Sequence, residues 1–397
     1  ADIQTLLKLH PPDGFIGIPK AHLLRLKVPA LRGLRFYGST GFTPLPHRRT
    51  DRLAGSCPPI HDEPGPALLT FTTGTTGIPK AIARSHEFLL GQHEVLLAHM
   101  PFSTGDVDLP TLPVFLLHSL AGGATCVIAD ADLKNVGQVE PDPIIRQLIR
   151  EKVTSSSGSP AFFQVLADRL KDTGQQVPDL RDIYMGGARV PASLVDDLST
   201  LIPHAAIHIV YGSTEAEPIA VLDAKTHREH LLSTTAKGAL VGKPVEAIQL
   251  RIVGEPFGEI QVAGPHVNPA YVNNPGAEAE TKIREGETVW HRTGDVGHLD
   301  EDGHLWLVGR MGESVAGHWP LAAEGTAESF PFVARAGLVE LDDKPLLAVE
   351  LHNAPDDWEN QLRTAIDVPL RAIPEIPVDP RHNAKVDRVL LKERLRG

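Results

Sequence analysis

The chain has 397 residues, of which 42% are hydrophobic and 22% are charged, and its formal net charge is −12. This length predicts two or three domains, and the composition is typical of a soluble globular protein, which excludes the disordered and fibrous classes. The acidic balance argues against a general nucleic-acid-binding protein, and two cysteines, Cys57 and Cys126, cannot form a disulfide framework, so we expect reduced thiols in the cytoplasm.

The N-terminal segment ADIQTLLKLHPPDG (1–14) contains no basic segment followed by an apolar run, so we expect no signal peptide. Short buried strands are predicted at residues 15–19 and 31–38. The polar, proline-rich residues 47–66 are typical of a loop.

Residues 71–80, FTTGTTGIPK, lie between a predicted strand at 67–71 and a predicted helix at 81–100. Glycines allow backbone N–H groups to converge on an anion, threonine hydroxyls donate further hydrogen bonds, and a lysine adds a positive charge. The residues that we expect to bind a polyphosphate are Thr72, Thr73, Gly74, Thr75, Thr76, Gly77 and Lys80. Ile78 and Pro79 separate the second glycine from the lysine, so the segment is not a Walker A loop. The alternative is a surface turn rich in threonine and glycine.

Strand and helix patterns alternate over the next hundred residues. Prolines and a glycine pair interrupt the most apolar stretch, 107–129, which therefore predicts a buried strand, a turn and a helix and no transmembrane segment. Helices are predicted at 142–152 and at 160–174, where Gly174 ends the second. Such alternation predicts a parallel sheet with helices on both faces.

Two segments bring further ligand-binding chemistry to strand ends. The strand predicted at 181–190 runs into Gly186 and Gly187, for which the alternative is a tight strand-to-helix turn. The run at 205–220 brings a polar group to the end of a strand, where α/β sheets bind ligands. That group is Tyr211, Gly212, Ser213, Thr214 and Glu215.

The C-terminal part is predicted to contain antiparallel sections at 258–267 and 289–310 and a hairpin at 332–352, followed by a helix at 356–366 and a basic amphipathic helix that ends at 395. The paired histidines in the chain do not gather with cysteines or carboxylates at metal-ligand spacing, so we predict no structural metal. These pairs are His227/His230 and His298/His304.

Several segments resemble, in the same order, the motifs of the AMP-forming adenylating superfamily, which contains acyl-CoA synthetases, peptide-synthetase adenylation domains and luciferases. They are TTGTTGIPKA (72–81), RDIYMGGARV (181–190), YGSTE (211–215), TGD (293–295), VGR (308–310) and RHNAKVDR (381–388). The resemblance implies an α/β fold, with a large domain of stacked, helix-covered sheets over 1–310 and a small mobile α+β lid over 311–397. Members carry more βα units before the phosphate loop than 66 residues can hold, so the chain is either shorter than its relatives or preceded by further residues.

The same resemblance implies how the nucleotide is held. Gly186, Gly187 and Ala188 place their backbone against adenine. Tyr211, followed by Gly212, stacks on the adenine ring. Asp295 accepts hydrogen bonds from the ribose hydroxyls, which suits an ionised carboxylate, and Arg310 also contacts the ribose. The alternative for the last two residues is a surface ion pair.

Catalytic roles are implied for four residues. Thr214 bonds the α-phosphate, Glu215 binds Mg²⁺, and Lys80 contributes positive charge at the phosphates. Lys385 bridges the substrate carboxylate and the α-phosphate, for which the alternative is a solvated lysine. Thr72 is the second expected contact of the metal, so ATP and Mg²⁺ are the expected cofactors.

A closer resemblance within the superfamily is to the β-lactone synthetases of the long-chain olefin pathway. The segments that carry it are 15–26, 105–115, 211–221, 291–306 and 377–388. It implies that a fatty β-hydroxy acid is adenylated and that its own hydroxyl then expels AMP, with enzymes of the same pathway as partners. One alternative is an acyl-CoA or acyl-carrier-protein ligase that uses the same adenylation half-reaction. Another is a truncated, non-catalytic nucleotide-binding subunit.

Overall fold

The computed structural model describes residues 3–49, 65–73, 79–233, 237–378 and 385–396. The chain divides into two compact units. The first consists of Ala1–His86 and Ala270–Ala277, and the second of Glu87–Pro269 and Glu278–Gly397. The expected division between a large domain and a lid at residue 310 stays a prediction.

The first unit is built from two small sheets. Its elements are α1 (Ile3–Leu9), β1 (Gly14–Gly17), α2 (Leu24–Lys27), β2 (Phe36–Ser39), β3 (Arg48–Arg49), β4 (Leu68–Thr73) and β5 (Pro79–Arg84). Strands β1, β2 and β3 pair in parallel, whereas β4 and β5 form an antiparallel hairpin. The strands predicted within 15–19 and 31–38 are therefore present as β1 and β2. The predicted burial is wrong for β1, none of whose residues is buried, and Ile16 is 64% exposed.

The helix predicted at 81–100 is wrong at its start. Residues 79–84 form β5, and helix α3 (His86–Leu97) begins only afterwards. Ala81 and Ile82 are fully buried in strand conformation, so burial against neighbouring elements overrides the helical preference of the local sequence. The threonine- and glycine-rich loop consequently joins two strands of a hairpin, and not a strand to a helix.

The second unit is dominated by one twelve-stranded mixed sheet. Its first half contains β6 (Val107–Pro110), α4 (Pro113–Ala121), β7 (Thr125–Cys126), α5 (Pro141–Arg150), β8 (Ser155–Gly158), α6 (Pro160–Thr173), β9 (Asp182–Gly186), α7 (Ala192–Leu201) and β10 (Ala206–Ser213). Strands β7, β6, β8, β9 and β10 are neighbours in that order and run parallel. This half confirms the predicted parallel sheet.

The sheet continues in antiparallel fashion beyond β10. Its remaining elements are β11 (Ala216–Asp223), α8 (Arg228–Ser233), β12 (Ala239–Pro244), β13 (Gln249–Val253), β14 (Gly258–Ala263), α9 (Pro275–Thr281), β15 (Lys282–Glu285), β16 (Thr288–Leu299) and β17 (Leu305–Arg310). The strand order is β11, β12, β17, β16, β14 and β13, with β15 on β16. The sections predicted at 258–267 and 289–310 are β14 and the β16–β17 hairpin.

Local sequence explains why helix α6 lies where the pattern predicts it. The Ser159 hydroxyl caps its first turn by accepting from Phe162 N–H, Pro160 occupies the first helical position, and Gly174 ends it with φ 66°. Phe162 and Phe163 are buried together with Ile183 from the sheet. The helix thus covers the parallel strands that lead to β9 and β10.

The C-terminal residues form a separate three-stranded sheet within the second unit. Its elements are α10 (Pro320–Glu328), β18 (Val333–Leu341), β19 (Lys344–Leu351), α11 (Trp358–Arg363), β20 (Leu370–Ile373) and α12 (Arg388–Arg396). The β18–β19 hairpin was predicted, whereas β20 was not, since four residues carry too little pattern. The α/β class is confirmed. None of the helices in the described part of the chain combines the length and apolar content that crossing a bilayer requires.

Candidate active site

The turn between β10 and β11 places the YGSTE residues at a strand end. The pairing of the two strands shifts between Tyr211 and Ser213, which marks a bulge. A Cβ atom on Gly212 would lie 2.8 Å from the backbone carbonyl oxygen of Ala216, which cannot rotate away, so this position favours glycine. The backbone carbonyl of Glu215 accepts from Asn268 N–H at 2.7 Å. The backbone that carries Thr214 and Glu215 is therefore held on both sides.

Asp295 is the centre of a polar cluster on the neighbouring hairpin. The Tyr211 hydroxyl donates to Asp295 Oδ2 at 2.7 Å, and Arg310 Nε lies 3.1 Å from Oδ1. Asp295 and Arg310 are direct cross-strand partners on β16 and β17. Arg310 also donates to the Thr293 carbonyl at 3.1 Å. The structure thus brings together three residues for which the sequence predicts nucleotide contacts.

The charge of Lys385 reaches this cluster. Burial raises the pKa of Asp295, while Arg310, the hydroxyl of Tyr211 and the charge of Lys385 oppose that rise, in this order. Burial and the adjacent carboxylate raise the pKa of Tyr211 well above its usual value, so this phenol stays a proton donor. Arg310 and Lys385 therefore offset the negative charges of Asp295 and Glu313, and Glu313 adds to the rise in the pKa of Asp295.

The glycine pair has a structural explanation at each position. A Cβ atom on Gly186 would lie 2.6 Å from the carbonyl oxygen of Val210 on the adjacent strand, and Gly187 adopts φ 82°, which favours glycine. Gly186 and Val210 are paired residues of β9 and β10, and Tyr211 follows Val210 directly. The close approach of the strands therefore positions Tyr211, while contact of residues 186–188 with adenine stays a prediction.

The segment 71–80, which we expect to bind phosphate, belongs to the first unit. The residues at its centre, Gly74, Thr75, Thr76 and Gly77, lie outside the described residues. On the hairpin that flanks it, Thr72 pairs with Lys80, and Thr73 pairs with Pro79. The Lys80 ammonium lies 5.3 Å from the centre of the Tyr271 ring in the same unit. The phosphate and metal roles of these residues stay predictions.

Ion pairs that the sequence did not indicate hold the region around Lys385. Arg388 Nη2 donates to Glu324 Oε1 at 2.8 Å, and Leu338 N–H donates to the same oxygen at 2.9 Å. Burial raises the pKa of Glu324 to about 7, against the lowering effect of Arg388. Glu328 of the same helix, α10, pairs with Arg189, the residue after Ala188. These contacts connect the segment that contains Gly186 and Gly187 to the C-terminal three-stranded sheet and its helix α10. The partners are so distant in sequence that no local pattern could reveal them.

The hydrogen-bonding groups and the possible metal ligands of this site suit a nucleotide that carries Mg²⁺. Ser213 Oγ is buried and has no hydrogen-bond partner among the described residues, so a ligand group could satisfy it. The Asp295 carboxylate accepts from Tyr211 and Arg310 and retains further lone pairs for hydroxyl donors. A carboxylate such as Glu215 is the ligand that Mg²⁺ combines with phosphate oxygens.

A second group of potential metal ligands contradicts the prediction that His304 stands apart from carboxylates. Ligand atoms of Asp300, Asp302 and His304 lie within 4.8 Å of one another. Asp300, however, accepts from the backbone N–H groups of Asp302 and His304 and from the indole N–H of Trp306. Its carboxylate therefore stabilises the hairpin turn, which accounts for the cluster without a metal.

Comparison with known proteins places these features in context. The family model described as AMP-binding enzyme matches residues 35–272. The chain is 34% identical over 428 residues to an olefin beta-lactone synthetase of Stenotrophomonas maltophilia, covering 95% of this chain and 77% of that protein. It is 29% identical to a long-chain-fatty-acid–CoA ligase of Thermus thermophilus, covering 71% of this chain and 56% of the ligase.

Solved structures show the same fold. The amide bond synthetase McbA of Marinactinospora thermotolerans matches with a TM-score of 0.79 at 22% identity, over 98% of this chain and 81% of that chain. The O-succinylbenzoate coenzyme A synthetase of Bacillus subtilis, solved with ATP and a magnesium ion, matches with a TM-score of 0.73 at 20% identity, over 98% and 81%.

Proposed function

The chain belongs to the AMP-binding enzyme family, and from this membership we propose that it activates a fatty β-hydroxy acid with ATP and closes it to a β-lactone. An AMP-forming enzyme joins the acid to the α-phosphate of ATP and releases pyrophosphate. The observation that carries the adenylation step is the Tyr211–Asp295–Arg310 cluster, whose carboxylate can accept hydrogen bonds from ribose hydroxyls. The lactone step is supported by the similarity to the olefin beta-lactone synthetase over 95% of the chain.

Adenylation needs little covalent help from the protein. A carboxylate oxygen of the substrate attacks the α-phosphorus, and the bond from that phosphorus to pyrophosphate breaks. Asp295 and Arg310 hold the ribose in this proposal, while Thr214 and Lys385 contact the α-phosphate and the attacking carboxylate. Glu215 and Thr72 would hold Mg²⁺, which when bound would neutralise charge on the phosphates. Lys80 adds a second cation to that neutralisation.

The second step uses the substrate's own nucleophile. The β-hydroxyl oxygen attacks the activated carbonyl carbon, the bond from that carbon to the phosphate oxygen breaks, and AMP leaves with the negative charge. The hydroxyl proton passes to solvent or to the departing phosphate. Because nucleophile and electrophile belong to one molecule, no CoA is needed, and departure of AMP from the activated carbonyl drives closure of the strained ring.

A CoA ligase is the second candidate, because the Thermus thermophilus relative carries that name. Both reactions share the acyl-adenylate and differ only in the nucleophile that consumes it. The product in the absence of CoA therefore separates them.

The experiment incubates the protein with ATP, Mg²⁺ and a long-chain 3-hydroxy acid, with and without CoA, and identifies the products by mass spectrometry. We expect pyrophosphate, AMP and a β-lactone without CoA. The matched control is the acid of equal length without the hydroxyl, which should release pyrophosphate only up to the amount of enzyme because its adenylate has no internal nucleophile. A thioester that forms only with CoA, and no lactone, would overturn the proposal in favour of the ligase.

A further inference from the structure

The N-terminal segment of the first unit differs sharply in charge from the whole chain. Residues 3–49 contain eight lysines and arginines and one acidic residue, Asp13, although the full chain carries a net charge of −12. Among the described residues, no basic side chain of this segment forms an ion pair with a carboxylate. Its positive charge is therefore not neutralised by described groups and faces solvent at Lys20, Lys27, Arg32 and Arg35.

Large apolar side chains are exposed in the same segment. The most exposed are Ile16 (64%), Ile18 (59%), Leu23 (50%), Leu26 (59%) and Phe42 (77%). Isolated exposed apolar residues are common, but a concentration of them within 27 residues of one unit is not, and such groups mark interaction surfaces.

Local contacts bring these residues to one region. Thr40 N–H donates to the carbonyl of Gly17, and a Cβ atom on Gly41 would lie 2.8 Å from Cγ of Pro19. The turn that carries Phe42 therefore lies beside Ile18. The two helical turns that follow Pro19 carry Leu23 and Leu26, and no residue of helix α2 is buried. We call the exposed apolar, lysine and arginine side chains of residues 16–42 together the basic apolar face.

We propose that the basic apolar face binds the surface of an anionic phospholipid bilayer. Aliphatic and phenyl side chains enter the interface between headgroups and acyl chains, while lysine and arginine side chains contact the phosphates. A second copy docked through the same face would bring like charges together, which opposes a symmetric dimer at this surface. A nucleic acid is the poorer match, because phosphate contacts dominate its binding and would leave the aliphatic side chains of this face exposed to water.

Both parts of the face are needed for binding. Each lysine or arginine adds roughly a fivefold factor to partitioning onto an anionic membrane, and each inserted apolar side chain adds about tenfold. Screening by salt removes the first contribution and leaves the second. Binding to a bilayer therefore depends on both lipid charge and apolar side chains, whereas binding to a soluble polyanion depends on charge alone.

The test is sedimentation of the protein with vesicles of phosphatidylcholine, with and without phosphatidylglycerol. We expect binding to the anionic vesicles only, weakened by salt. The variants Lys20→Glu/Lys27→Glu and Ile18→Ser/Phe42→Ser should each lose more than about tenfold in partitioning. The matched controls replace residues of similar exposure in the second unit, Arg150→Glu and Leu90→Ser/Ile128→Ser, and should bind as the unchanged protein does.

Four results would overturn the proposal. They are absence of sedimentation, equal sedimentation with neutral vesicles, equal loss in the control variants, and loss in the lysine variant with none in the Ile18→Ser/Phe42→Ser variant. The last result would indicate a soluble polyanion or an acidic protein as the partner. All substituted side chains are exposed, so unchanged thermal unfolding of each variant excludes misfolding as the cause. The measurement uses no ATP, so it succeeds or fails independently of the proposed reaction.

Discussion

Replacing Gly186 by alanine tests whether the close contact between β9 and β10 positions the nucleotide site. The added Cβ would lie 2.6 Å from the carbonyl oxygen of Val210, where an ordinary contact begins at 3.4 Å. The strands would have to separate by about 0.8 Å, because the obstacle is backbone and cannot rotate away. Tyr211 follows Val210 directly, so its hydroxyl would move relative to Asp295.

The expected loss of folding stability follows from the steric overlap between the new Cβ and the Val210 carbonyl oxygen. Overpacking in a closed site costs about 1–3 kcal/mol, and distortion of the β9–β10 hydrogen bonds adds about 1 kcal/mol, so we expect a loss of about 3 kcal/mol. Gly187→Ala is the matched control, because its φ of 82° strains an alanine by about 1–2 kcal/mol while no atom lies within 4 Å of the new Cβ.

Thermal unfolding and ATP titration calorimetry measure the two consequences. At roughly 2–4 °C for each kcal/mol, Gly186→Ala should lower the Tm by about 6–12 °C and Gly187→Ala by about one third to two thirds of that. ATP affinity should fall about tenfold or more in Gly186→Ala, since a displaced tyrosine loses a charged hydrogen bond. Equal Tm values and equal affinities for the two variants would refute the role of this contact.

Three further predictions concern single side chains. Lys385→Ala should abolish pyrophosphate release and leave ATP binding by calorimetry largely intact; unchanged release would remove this lysine from the mechanism. Asp295→Asn should weaken ATP binding by about 10- to 100-fold, because each hydrogen bond to a charged group is worth about 1.5–3 kcal/mol, while Tyr211→Phe should weaken it less; the reverse order would contradict the central place of the carboxylate. Folding raises the pKa of Glu324 from 4.5 to about 7, so the folded chain binds more protons between these values and the free energy of unfolding should fall as the pH rises through this range. Urea unfolding of Glu324→Gln should show a weaker pH dependence, and an unaltered profile would exclude this residue as its source.

The local sequence was sufficient to predict the elements whose ends are fixed by residues nearby in the chain. Helix α6 was predicted at 160–174 because a serine cap, a first-turn proline and a terminal glycine act within a few residues. Asp295 and Arg310 were predictable as polar residues near strand ends. The resemblance implied that both contact the ribose of the nucleotide. The physical reason is that caps, turns and strand alternation depend on contacts over a few residues.

Only the tertiary structure decided what depends on distant contacts. Residues 79–84 became a strand because Ala81 and Ile82 are buried, although their local sequence favours a helix. The hydrogen bond from Tyr211 to Asp295 and the ion pair between Arg189 and Glu328 join residues separated by 84 and 139 positions. No periodic pattern encodes such pairs, since the partners meet only once the fold brings distant elements together, where each partner offsets the cost of burying the other.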